Sequence, residues 1–114
     1  MHNDDLLGSF EQLVLLALVR LKDTAYGMTV RREIEERTGR TASLGAVYAT
    51  LDRLEAKGYV ISNKGSATVE RRGRAKRYFR IKSAGMAALQ NSIRAMENMR
   101  EGVPAFKRKL GAIG

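Results

Sequence analysis

Leu13, Val14, Leu15, Leu16, Ala17, Leu18 and Val19 follow one another without a polar break. A helix that is apolar all round must be covered all round. A domain this short can cover only one side of it, so the run predicts a partner subunit on the other. Ser9 and Gln12 precede the run with S-x-x-Q spacing, which predicts a capping box and a helix start at Ser9. A second helix is predicted over Ala25–Thr38, capped by Asp23 or Thr24 and ended by Gly39 in a left-handed conformation. Val30 and Ile34 face its inside, and Gly27, one turn earlier, permits the close approach of a neighbour. Arg31–Glu35 and Arg32–Glu36 read as ordinary surface pairs four residues apart rather than as acid–base chemistry.

A third helix is predicted after Ser43, stopping at Gly58. Leu44, Val47, Leu51 and Leu54 recur at intervals of 3, 4 and 3 and form one buried stripe. The opposite face carries Gly45, Ala46, Ala49, Thr50, Arg53 and Lys57, small near its start and basic near its end. Tyr59–Lys64 is rich in strand-forming residues, and 66–74 is a polar loop. In 76–82, Phe79 and Ile81 alternate with Tyr78, Arg80 and Lys82, the period of a strand. A last helix is predicted after Ser83 as N-cap, with Met86, Leu89, Ile93 and Met96 as a seam. Arg100 interrupts the seam and Val103 resumes it. Pro104 should kink or end the helix. With the first helix also needing cover, Leu13, Leu16, Met86, Leu89, Ile93, Met96 and Val103 are the expected dimer contacts.

Charge changes this picture more than composition does. The 114 residues carry a net +9, and its distribution is uneven. Residues 1–70 sum to −1, with nine basic and ten acidic residues. Residues 71–82 hold Arg71, Arg72, Arg74, Lys76, Arg77, Arg80 and Lys82 with no acid, and residues 83–114 sum to +3. A field this local repels itself unless a polyanion meets it. Cysteine is absent and His2 is the lone histidine, so no disulfide, cysteine nucleophile, His-Asp triad or multi-histidine metal site is expected. No catalytic group, cofactor or metal is assigned. The longest apolar run falls far short of a membrane span, and the start is polar and acidic where a secretory signal needs a basic region. The expectation is a cytoplasmic protein with no membrane partner.

Three helices, a basic hairpin and a long helix make a winged helix-turn-helix with a C-terminal helix, mainly α with a two-stranded hairpin. A helix fits the major groove of DNA, and a basic hairpin beside it suits phosphate. The residues also carry a resemblance. Ala25-Tyr26-Gly27, the stretch Ser43-Leu44-Gly45-Ala46-Val47-Tyr48-Ala49-Thr50-Leu51-Asp52-Arg53-Leu54-Glu55-Ala56-Lys57-Gly58, then Lys76-Arg77-Tyr78-Phe79-Arg80-Ile81 and Ala84-Gly85 resemble the PadR family of bacterial transcriptional regulators. The resemblance covers roughly 8–90 and points to the short branch, with one C-terminal helix. Many relatives have proline after the tyrosine of the third helix, where this chain has Ala49.

The resemblance implies a homodimeric winged-helix repressor on a roughly palindromic operator. Residues 1–83 would form the DNA-binding unit and 84–114 the dimerisation helix. Helix 43–57 would read the operator through Ser43, Gly45, Ala46, Tyr48, Ala49, Thr50, Arg53 and Lys57. Tyr48 also suits core anchoring, Ser43 capping, and the two cations pairing with Asp52 or Glu55. The wing, 65–82, would grip phosphates through Arg71, Arg72, Arg74, Lys76 and Arg77, contacts that position but specify little sequence. The methionines of the seam suit plain packing or a small apolar effector between subunits. Against double-stranded DNA stand two other readings, a winged-helix module meeting an acidic protein and an RNA-associated basic protein.

Overall fold

A computed structural model describes residues 6–64 and 76–107. Helix α1 spans Ser9–Leu21 and leads through a single 3-10 turn, Lys22–Thr24, to α2, Gly27–Thr38. Helix α3, Leu44–Ala56, is followed by β1, Val60–Lys64, and β2, Arg77–Ile81. Helix α4 runs over Ser83–Arg100, and a short α5 over Pro104–Lys107. The strands pair antiparallel, from Val60 opposite Ile81 to Lys64 opposite Arg77. Tyr26 adds an isolated bridge to Tyr78 on the other side of β2, and the Phe79 N–H donates to the Ala25 carbonyl at 2.9 Å.

Helices α1 and α3 start where predicted, at Ser9 and directly after Ser43, whereas α2 starts two residues later and α4 one residue earlier than expected, and the cap of α1 differs. Ser9 is the first residue of α1, and Gly8 is its cap. The reach-back bond comes from Glu11, whose Oε1 accepts the Gly8 N–H at 3.0 Å. Gln12 instead donates to the Leu7 carbonyl at 3.0 Å. Helix α2 opens at Gly27, because Thr29 Oγ1 accepts the Tyr26 N–H at 2.9 Å while residues 22–24 are spent on the 3-10 turn. Ser83 likewise lies inside α4, with Lys82 as cap. The predicted ends hold better. Gly39 closes α2 at φ 75°, and α4 stops at Arg100 ahead of Gly102 at φ 82° and Pro104.

One core joins the first four helices and the hairpin: Val14, Leu15 and Leu18 of α1, Val30 and Ile34 of α2, Val47, Leu51 and Leu54 of α3, Val60 and Phe79 of the hairpin, and Leu89 of α4. The chain covers α1 more fully than its apolar run predicts. Leu13, Val19 and Leu21 are half-buried on the core, and of the run Leu13–Val19 only Leu16 is exposed. Outside the core, Glu33 of α2 accepts Arg20 of α1 at 2.7 Å and Arg37 at 3.0 Å, a link between helices that local pairing rules do not predict. Among the described residues no helix is long and apolar enough to cross a membrane.

Candidate nucleic-acid interface

The outward face of α3 begins at a well-made cap. Ser43 Oγ accepts the Ala46 N–H at 3.0 Å, satisfying one of the free donors of the first turn. Gly45, Ala46 and Ala49 lie exposed beyond it. A β-carbon at Gly45 would meet nothing nearer than Ser43 Oγ at 3.9 Å, so this end presents mostly backbone and small side chains. Tyr48 turns inward and is half-buried. Its ring packs on Gly27, where an added β-carbon would collide with it, and lies 6.4 Å from the Phe79 ring. Gly27 thus serves the close approach expected of it, and Tyr48 anchors α3 to α2 and β2. Thr50 corrects the sequence reading. It is 4% exposed, with Oγ1 3.4 Å from an Arg53 Nη that donates to it, and so does not belong to the outward face.

The cations around α3 are held by acids that sequence spacing does not bring together. Arg53 Nε and Lys57 Nζ donate to the same oxygen, Oε2 of Glu11, at 3.2 and 3.4 Å. Their partner is on α1, not Asp52 or Glu55. Glu11 is 8% exposed. Burial pushes its carboxyl up, but the Gly8 N–H, Arg53 and Lys57 together outweigh that and hold it below the ordinary glutamate range. Arg77, at the start of β2, reaches Glu55 at 2.8 Å and Asp52 at 3.1 Å. Ser62 of β1 donates its hydroxyl to Glu55 and accepts from Arg77 Nε at 3.3 Å. The Ser62 hydroxyl, aided by Arg77, keeps Glu55 below the ordinary range against a smaller opposing push from burial. Arg77 therefore fastens the wing to α3. Lys76 sits 4.4 Å over the Tyr26 ring, which meets Tyr78 edge-on at 5.4 Å. Arg71, Arg72 and Arg74 lie outside the described residues. Arg40, in the α2–α3 turn, carries no sequence signal that singles it out. It lies over the Phe10 ring of α1 at 4.8 Å.

The expected dimer residues divide. Leu89 is a correction, since it is already buried in its own chain. Met86 and Ile93 are half-buried on that same core. Leu16, Met96 and Val103 are exposed, joined by Leu6 and by Met99 at 77%. Leu13 and Leu16 line a groove of about 380 Å³ between α1 and α2, together with Ala17, Val19 and Ile34. No group of three or more metal-binding side chains occurs among the described residues.

The arrangement has counterparts. Residues 15–91 match the model of the transcriptional regulator PadR-like family. The chain belongs to this family. Transcriptional regulator Rv3488 of Mycobacterium tuberculosis is 38% identical over 74 residues, 65% of this chain and 64% of the relative. The match thus spans just under two thirds of that protein's length. A PadR family transcription regulator from hypervirulent Clostridium difficile R20291 superposes with a TM-score of 0.67 at 18% identity, covering 88% of this chain and 100% of that one. A transcriptional regulator from Clostridium thermocellum does so at 0.69 and 22%, over 86% and 92%. Likenesses at this level speak for the fold, a winged helix with a C-terminal helix. The PadR-like family is one of transcriptional regulators, and this relative and these structural neighbours are regulators, not enzymes.

Proposed function

We propose that this PadR-like protein is a dimeric DNA-binding repressor that reads a roughly palindromic operator. The observation that carries the reading is the outward start of α3. Ser43, Gly45, Ala46 and Ala49 are exposed, small and capped, a surface that admits close contact with base edges in a major groove. Arg53 and Lys57 follow on the same helix toward the phosphate backbone. Arg71, Arg72, Arg74 and Lys76 of the wing grip phosphate, and Arg77 sets the angle of β2 to α3. A second copy packs on Met96 and Met99 of α4, Leu16 of α1, and the neighbouring Val103 and Leu6. A small apolar effector would lodge where those helices meet.

Selection of bound fragments from random duplex DNA, with sizing of the complex, tests this. A two-fold symmetric consensus with half-sites about 34 Å apart, or a multiple of that, is expected. A monomeric protein that ignores every duplex at low salt would overturn it. Neutralising Arg71 and Arg72 should weaken binding to all sequences and flatten the salt slope by about 0.9 for each phosphate no longer neutralised. Changes at Gly45, Ala46 or Ala49 should instead alter operator preference.

A further inference from the structure

Glu11 stands at a junction of three helices. Its two carboxylate oxygens do different work. Oε1 accepts the Gly8 N–H and so fixes how the chain enters α1, while Oε2 takes both Arg53 and Lys57. Those cations are one helical turn apart on α3 and converge on one oxygen. Upstream, Leu7 is buried, and its N–H donates to Ser92 Oγ of α4 at 3.0 Å. The Ser92 hydroxyl donates in turn to the Ala88 carbonyl at 2.9 Å. Two sets of hydrogen bonds, joined by the Leu7–Gly8 peptide, thus link the middle of α4 to Glu11 and the basic end of α3.

We propose that Glu11 is a positioning residue that ties the aim of Arg53 and Lys57 to the α1–α4 junction and restrains both cations from grasping phosphate unselectively. The proposal rests on α3 facing DNA. Two cations and one carboxylate leave this cluster a net charge of +1. Bonding at Nε and at one Nη limits the directions in which Arg53 can extend. A shift of α4 that draws on Leu7 moves the carboxylate and so re-aims two side chains on α3. No contact between the C-terminal helix and the duplex is required.

Glu11→Gln tests this in the full-length protein, with thermal unfolding as the check on folding. Removing the charge raises the local sum to +2, equivalent to one more counterion released. The salt slope on an unrelated duplex should steepen by about 0.9, a roughly 3.5-fold greater loss of affinity between ~50 and ~200 mM salt. Discrimination between selected and unrelated duplex should fall. The change should vanish when Arg53→Gln and Lys57→Gln are already present. An unchanged slope, or a gain that persists in that background, overturns the proposal. A wild-type protein that binds no duplex defeats the DNA-binding reading instead. A DNA-free measurement then judges Glu11: the Arg53 Nε–H resonance of the free protein should move in Glu11→Gln and in Ser92→Ala. A resonance that stays put in both breaks the relay. If Glu11→Gln fails to fold, Glu11→Asp replaces it, since the shorter acid cannot serve Gly8 and both cations at once; wild-type resonance and discrimination in that variant would count against the proposal.

Discussion

The two halves of α4 share one helix and meet different fates. In the first half, Gly85, Leu89 and Ser92 are buried against the body. Gly85 lies so close to the Tyr59 carbonyl that a β-carbon has no room, and that carbonyl also accepts the Lys82 N–H at 2.9 Å. In the second half, Met96 is 57% exposed and Met99 more so, and Val103, just beyond the helix, is partly exposed. The first half is therefore part of the fold, held by shape and hydrogen bonds. The second carries apolar side chains that are mostly exposed on this chain, the kind of patch open to association. Apolar periodicity alone does not separate the two cases.

Substitutions can break or sharpen this contrast. Gly85→Ala should have the largest effect. Overpacking against backbone is expected to cost about 3 kcal/mol or more, read as a fall in the denaturation midpoint. Leu89→Ala should cost roughly 2–3 kcal/mol through the cavity it leaves, at the lower end because half-buried Met86 and Ile93 can close in. Ser92→Ala leaves the buried Leu7 N–H without its acceptor and should cost about 1–2 kcal/mol. Met96→Gln with Met99→Gln should change monomer unfolding by no more than about 0.5 kcal/mol. The same pair should shift sedimentation toward the monomer. A large drop in monomer stability in the last case, or none at Gly85, would erase the distinction between the halves.

Much of this architecture is legible in the sequence because its signals are local. Of the stripe Leu44, Val47, Leu51 and Leu54 the last three are buried and Leu44 is only half-buried, and the alternation around Phe79 agrees with the structure; each lies within one element. The α4 seam is half legible. The stripe Met86–Leu89–Ile93 has the right period, but the most buried line is Gly85–Leu89–Ser92, rotated by one position. A serine reads as polar, and nothing nearby reveals that its hydroxyl is satisfied by Leu7 and Ala88. The cation partners are illegible for a different reason. Glu11 lies 42 and 46 residues from Arg53 and Lys57, so no spacing rule connects them. Thr50 misleads because the helix is wider on its buried side than the leucine stripe suggests.

The bridge from Tyr26 to Tyr78 has a mechanical consequence. With β1 on one flank and the approach to α2 on the other, β2 is clamped from both sides near its loop-proximal end, where Tyr78 and Arg77 stand opposite Asn63 and Lys64, and Arg77 adds a third tie to α3. The paired strands are braced rather than hinged. A rigid ligand docked against these strands is accommodated by moving the whole body or by yielding its own shape.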